Sequence, residues 1–407
     1  MKKLNLLHVN TLQPPYLVGG AERTVATVSK TLASRGHDIR VVSTVPSDKV
    51  VADQQSDHFM GSFVGLRNFY WPFDGVTRPK YQTLAWHLRD AWNPSMGNIL
   101  GRSLDANRPD VVLTHNLQGW SCNVWWQAAK RKIPVVHVIH DQSLICPQTA
   151  MFRGGKACTK QCTSCSALST TRRAAQHHVT AVVAVSQAIL DRNAQFGMFG
   201  AHNIKRVVHN SWRGDWPKTC PPLPSIAVPN HGLTIGFMGR VEPEKGIDTL
   251  CAAWRKLEGT GARLLIAGQG KPEYIQSLIR DYGVPESSFL GQQLPHSFFS
   301  CVDIVAVPSR AFEGLGNVAF EALVFGRPVI VSDQGGLPEI PRLDCGTVVT
   351  AGDAHALAVA IKEYIDSPSM LLAHSAAAMQ RSLEFRPERQ ADAYENLLLE
   401  VCDQHSS

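Results

Sequence analysis

This 407-residue sequence predicts two doubly wound α/β halves joined by a short linker. Three observations predict it. Short, almost unbroken Val/Ile/Leu runs alternate with amphipathic stretches, the pattern of a parallel sheet covered on both faces. A proline-rich break, WPKTCPPLPSIAVPNHG, interrupts that alternation at residues 216–232 before a second series begins. Polar residues cluster just after the apolar runs, where open parallel sheets bind their ligands.

The first half opens with LNLLHVN, the loop TLQPPYLVGG and the helical AERTVATVSKTLASRG. In that helix Val25, Val28 and Leu32 recur at helical spacing, and Gly36 supplies a stop. DIRVVST, PDVVLTHN and PVVHVIHD follow as strands, the last two separated by the helical GWSCNVWWQAAKRK; VTAVVAVS and KRVVHNS complete the half. The second half reads as strands LTIGFMGR, ARLLIAGQG, SSFLGQ, DIVAVPSR, RPVIVSD and CGTVVT. The expected division is 1–215, a linker at 216–232, 233–384, and a last helix at 385–407 able to pack back on the first half. A central cleft where the halves face one another is the expected site.

A hydrophobic share of 44% against 18% charged residues suits a globular protein with sizeable cores. No run approaches the roughly 20 apolar residues of a membrane span. MKKLNLLHVN starts like a signal peptide, but Asn5, His8 and Asn10 interrupt it, so the expectation is a buried first strand in a cytoplasmic protein. Residues 1–215 carry 25 Lys and Arg against 12 Asp and Glu; the remainder carries 15 against 22. A basic first half points either to an anionic partner (nucleic acid, a lipid headgroup surface or a phosphorylated acceptor) or to solvated surface charge.

Two segments of the second half carry the chemistry. In GRVEPEKG, Arg240 and Lys245 share one loop with Gly239 and Gly246, a set that suits a diphosphate. The same cations could instead pair with Glu242 and Glu244. In PSRAFEGLGNVAFEALVFGRPVIVSD a strand, a turn and a helix follow one another, with Asn317 as the expected N-cap. The N–H groups around Leu315, Gly316, Asn317 and Val318 would then attract an anion. Glu313 and Glu321 lie eight residues apart, about 80° of helical rotation. They are therefore expected to touch different hydroxyls of an extended ligand.

These motifs, in this order, resemble glycosyltransferase family 4, a retaining family of GT-B fold, over nearly the whole chain. The resemblance implies that Arg240 and Lys245 bind the diphosphate of a nucleotide-sugar donor. It implies that Glu313 contacts the transferred sugar and Glu321 the ribose, with the amides near Gly316 assisting. VGGAE resembles the family's glycine loop, where Gly19 and Gly20 bring N–H groups to donor phosphates or to the acceptor; a plain tight turn is the alternative. His140, at the strand end in VVHVIHD, matches the histidine near the sugar, with Asp141 beside it, while His137 is expected to pack in the sheet. Ser186 in AVSQ and Asn210 in VVHNS match weaker positions. The chain departs from the family's Gly-Val-Asp after that Asn, carrying Ser211, Trp212 and Arg213.

The implied reaction is glycosyl transfer to a hydroxyl of a glycan or lipid-linked acceptor, with retained configuration and no required metal. A role in cell-surface polysaccharide or lipopolysaccharide assembly, peripheral to the inner face of an anionic membrane, follows from the resemblance; nucleic acid is not an expected partner. A GT-B nucleotide-sugar epimerase and a non-catalytic sugar-nucleotide-binding protein are the alternatives. CPQTAMFRGGKACTKQCTSC holds Cys146, Cys158, Cys162 and Cys165, the ligand count of a structural zinc or else four incidental thiols. FYWPFDGVTRPKYQTLAWHLRDAWNPS mixes aromatic and basic residues, suited to sugar faces or a membrane interface, or to a core helix with its loop.

Overall fold

In the computed structural model the described residues are 2–16, 19–49, 54–55, 59–200, 204–228 and 231–406. The chain divides into two compact units. The first comprises Met1–Ala150, Thr159–Arg213 and Pro387–Ser407; the second comprises Met151–Cys158 and Gly214–Arg386.

Strands β1 (Asn5–Val9), β2 (Asp38–Val45), β3 (Gln54–Gln55), β4 (Met60–Gly65), β5 (Val111–Thr114) and β6 (Val135–Ile139) belong to the first unit. A hairpin of β7 (Phe152–Arg153) and β8 (Lys156–Ala157) falls in the second. The first sheet is completed by β9 (Ala181–Ala184) and β10 (Ile204–Val207). Its order is β10-β9-β6-β5-β1-β2-β4-β3, parallel except for β3 on β4. The middle strands are buried and mostly apolar, with His8, Thr114 and His137 as polar exceptions, because helices cover both faces. Strand β4, MGSFVG, is not legible in the sequence: it lies near the edge, and alternate side chains are only half-buried, so small residues suffice.

The last helix, Pro387–Ser406, belongs to this first unit. Ala391, Tyr394, Leu398 and Val401 form one stripe along it, buried in the core with Leu4, Val25, Val28 and Leu32. Its polar flank is fastened as well. Arg35 meets Glu395 at 2.8 Å and Asp392 at 2.7 Å, and Ser211 donates to Gln390 at 2.8 Å.

In the second unit β11 (Thr234–Met238), β12 (Arg263–Ala267), β13 (Ile304–Val307), β14 (Val329–Ser332) and β15 (Gly346–Val349) form a parallel sheet ordered β12-β11-β13-β14-β15. SSFLGQ is not a strand, contrary to expectation. Glu286–Ser288 is a single 3-10 turn, Phe289 makes one bridge to Ile266, and Gly291 at φ 63° bends the chain away. The proline-rich stretch is tied to this unit. The buried Arg327 donates to the carbonyls of Pro221 and Pro222, each at 3.0 Å, and of Phe299 at 2.8 Å. A guanidinium suits the task because its fixed fork reaches three carbonyls that would otherwise be buried unpaired.

Candidate active site

The second unit gathers its charged residues at the carboxyl ends of β11 and β13. After β11 the chain turns through Gly239 and Arg240 into a 3-10 turn, Pro243–Lys245, closed by Gly246 at φ 70°. A Cβ on Gly246 would stand 1.9 Å from the carbonyl oxygen of Pro308, so glycine lets this loop lie directly on the turn after β13. The N–H groups of Arg310 and Ala311 both donate to the Glu244 carbonyl, at 2.8 and 3.1 Å. Arg310 also pairs with Asp248 at 2.7 Å. The two sequence motifs are thus one structural piece.

Within it Lys245 Nζ donates to Glu313 Oε1 at 2.7 Å, and Ser309 Oγ donates to the same oxygen at 2.6 Å. Burial pushes the Glu313 carboxyl up. The charge and hydrogen bond of Lys245, with help from Ser309 and Arg240, more than offset this and hold it below the usual range. Glu313 is therefore an anion with a built-in cation. Arg240 stays mostly exposed and pairs with Glu242 at 2.7 Å and with Glu244 at 3.8 Å. Arg240 thus adopts the loop pairing that was the alternative to phosphate binding; Lys245 pairs with neither loop glutamate.

The helix after the turn starts one residue earlier in the cap than expected. Gly316, at φ 85°, is the N-cap, and the helix Asn317–Val324 begins with Asn317. The left-handed cap favours glycine, and a Cβ at 316 would also meet the Leu337 side chain at 2.2 Å. The Leu315 side chain is buried in the core, so only its backbone is suited to a ligand. Glu321 is buried one turn inside the helix. The segment QGGLPE, given no role from sequence, clamps the backbone of Glu313. Gly336 N–H donates to the Glu313 carbonyl at 3.0 Å, and a Cβ on Gly335, at φ 62°, would stand 2.0 Å from that oxygen. Its signal was the Gly-Gly pair itself.

The first unit's candidates follow β1, β6, β9 and β10. Gly19 precedes the helix Gly20–Ser34, and its N–H donates to the Glu22 carboxylate at 2.8 Å. A carboxylate at this helix start satisfies the N–H and complements the helix dipole. The glycine loop's first amide is therefore engaged within the chain, and an added phosphate would meet negative charge. Asp141 accepts from Ser143 N–H at 2.8 Å; burial raises its carboxyl, and Glu22 adds to the rise. Ser186 is the N-cap of Gln187–Gln195, accepting from Ile189 N–H at 3.2 Å, which is a structural use. Asn210 is buried.

His140 does not stand alone. Its Nε2 lies 3.0 Å from Nδ1 of His115, whose Nε2 lies 3.1 Å from Nδ1 of His8. Burial lowers His140 to about 4 and His8 to about 3, and carries His115 well below its ordinary value. His140 is consequently a neutral imidazole near pH 7, able to hydrogen-bond a ligand but not to supply positive charge. His8 and His115 were missed in the sequence because each looks like a polar break at a strand end. His137 packs in the sheet, edge-on to Trp125 and 2.9 Å from Thr114 Oγ1.

The cysteine run is brought together only in part. Cys146 and Cys165 place their sulfurs 3.9 Å apart, while Cys162 lies 3.2 Å from Ser164 Oγ. Among the described residues no three His, Cys, Asp or Glu side chains gather to hold a metal ion. As placed, Cys165 lies against both Cys146 and Cys162.

Two doubly wound parallel sheets, one with an anchored cation–carboxylate pair beside a helix start, define a GT-B glycosyltransferase. Residues 18–210 match the profile of Glycosyltransferase Family 4, and residues 232–367 that of Glycosyl transferases group 1. The chain belongs to this family. It is 28% identical over 342 residues to a 42.6 kDa protein in the cps region of Klebsiella pneumoniae, covering 84% of this chain and 88% of that one. Sucrose-phosphate synthase from Thermosynechococcus elongatus superposes with a TM-score of 0.74 at 18% identity, over 98% of this chain and 99% of that one. Anabaena HepE in complex with UDP-glucose superposes with a TM-score of 0.69 at 19% identity, over 98% and 100%.

Proposed function

We propose that the chain transfers a glycosyl group, with retention, from a nucleoside diphosphate sugar to a hydroxyl of a glycan or lipid-linked acceptor in cell-surface polysaccharide or glycolipid assembly. The observation that carries this is the Lys245–Glu313–Ser309 cluster, clamped by Gly335 and Gly336 and flanked by Arg240. The bond from the sugar's anomeric carbon to the diphosphate breaks, and negative charge grows on the leaving oxygen. Arg240, whose side chain is mostly exposed, and Lys245 stabilise that charge. The acceptor oxygen bonds the anomeric carbon on the same face, and its proton passes to the leaving phosphate. Glu313 orients sugar hydroxyls, Glu321 the ribose, and neutral His140 a sugar hydroxyl on the acceptor side, with Asp141 beside it. The cations provide the charge that a divalent metal supplies elsewhere.

A UDP-sugar is the first donor to test, since HepE is described with UDP-glucose. Release of nucleoside diphosphate only when acceptor is present supports transfer. Conversion of the sugar nucleotide without acceptor points to an epimerase and contradicts it, as does a covalent sugar adduct trapped on Glu313 for the same-face route.

Among the described residues no helix is long and apolar enough to cross a membrane. Peripheral binding to an anionic inner-membrane surface is part of the proposal. On the helix Lys80–Ala91, Tyr81, Leu84 and Leu88 are exposed on neighbouring turns, with Phe69 and Val76 exposed nearby and Arg78 and Arg89 in the same segment. Co-sedimentation with phosphatidylglycerol vesicles, weakened by Leu84→Asp with Leu88→Asp, supports it; equal binding by the variant does not. A structural zinc held by Cys146, Cys158, Cys162 and Cys165 is a further part of the proposal. Stoichiometric zinc lost in Cys165→Ser supports it, and no zinc in the purified chain ends it.

A further inference from the structure

We propose that Ser309 and Ser332 are positioning residues for Glu313: their hydroxyls act in series to hold carboxylate oxygen Oε1, so that Oε2 is the atom presented to a hydroxyl of the donor sugar. The inference rests on the reading of Glu313 as the sugar contact. It adds which oxygen makes that contact and what sets it.

The second sheet brings the two serines together. Strands β13 and β14 pair as far as Val307 and Val331 and then part. Ser332, the last residue of β14, stays paired with Val349 of β15, while the chain after β13 leads into the turn that holds Glu313. Where the β13–β14 ladder stops, the Ser332 hydroxyl takes over and donates to the Ser309 carbonyl at 2.6 Å. Both serines are fully buried, so their hydroxyls need partners inside the protein. The Ser309 hydroxyl finds its partner in Glu313 Oε1 at 2.6 Å, the short distance of a hydroxyl on an anion.

A carboxylate only accepts, through about two lone pairs on each oxygen. The bonds to Glu313 from Ser309 and from Lys245 Nζ, the latter at 2.7 Å, both fall on Oε1. That oxygen is filled. Oε2 receives no donor among the described residues, and it is not sealed from solvent, the side chain being 17% exposed. A ligand hydroxyl can reach Oε2 without displacing a protein donor. Lys245 does not choose between the two oxygens, because its ammonium is a point charge on a flexible stem. The Ser309 hydroxyl, held at its own carbonyl by Ser332, decides which oxygen is taken.

Calorimetric titration of UDP and of UDP-glucose into the full chain separates a sugar contact from a diphosphate contact. Ser309→Ala should weaken UDP-glucose about tenfold, the scale of one hydrogen bond, and leave UDP within about twofold. In a Glu313→Ala chain the same substitution should change UDP-glucose affinity by less than about twofold, because the residue it acts through is gone. Equal weakening of both ligands, or the same loss with and without Glu313, overturns the proposal.

A second readout needs no sugar. Carbon-13 NMR of glutamate-labelled protein follows the Glu313 carboxyl as it titrates. Ser309→Ala removes a donor to the charged form, so the titration should move upward in pH. An unmoved titration in the folded variant overturns the proposal. Should Ser309→Ala fail to fold, Ser332→Ala takes its place, with the same directions and smaller changes. An upward shift in a chain that binds no nucleotide sugar supports the serine pair and contradicts the transferase reading.

Discussion

The two units solve the same problem, holding a polar site at the ends of parallel strands, by opposite electrostatic means. The second unit uses full charges already partnered: Lys245 on Glu313 and Arg240 on Glu242. The first uses neutral groups in a dry setting, a column of imidazoles whose charge burial has removed. The contrast matches the chemistry proposed for each. Leaving-group charge needs permanent cations, whereas recognition of an uncharged hydroxyl is better served without charge.

The largest expected effect tests the charged side. Glu313→Gln, which keeps the shape but not the charge, should lower kcat/KM by about 10²–10³ with the fold intact, the scale for losing one preorganised group. Steady-state kinetics beside thermal melting would show it; a fall below about threefold would place Glu313 outside the site. Gly335→Ala comes next. The left-handed φ and the 2.0 Å approach to the Glu313 carbonyl should make it cost about 3 kcal/mol in urea unfolding.

How much of this was legible follows from the same contrast. Arg240, Lys245, Glu313 and Glu321 stood out because packing alone seldom places charged residues beside glycines directly after apolar runs. The central strands were legible because burial on both faces leaves them almost purely apolar. His8 and His115 were not, since a histidine at a strand end reads as an interruption until neighbouring strands bring three together. Gly335 showed in the sequence only as one of a Gly-Gly pair, since its role is to leave room for the Glu313 carbonyl. The cap at Gly316 was read as Asn317 because sequence favours an Asn cap, whereas the left-handed turn decides for glycine.

The pH dependence separates the units further. His8, His137 and His140 have folded values near 3, 3 and 4 against about 6.5 unfolded, so the unfolded state takes up protons first as pH falls. Their stabilisation is complete above about pH 6.5 and declines towards pH 4, by up to about 1.4 kcal/mol per pH unit per histidine. Glu313, held below the carboxylate range, contributes stability that is lost only at lower pH, as its folded value is crossed. Melting followed between pH 7.5 and 4.5 should thus fall steeply in wild type and less so in His8→Phe; identical profiles would contradict the buried neutral column. The smallest effect belongs to Arg240→Ala. Its side chain is mostly exposed, so stability should change by less than about 1 kcal/mol while donor KM rises.

The central claim is that the cation-bearing loop of the second unit holds the donor diphosphate. Calorimetric titration of UDP into wild type and Lys245→Ala tests it most directly. The account predicts binding at least about tenfold weaker in the variant, the loss of one charge-assisted contact. Equal affinity in a folded Lys245→Ala would contradict it.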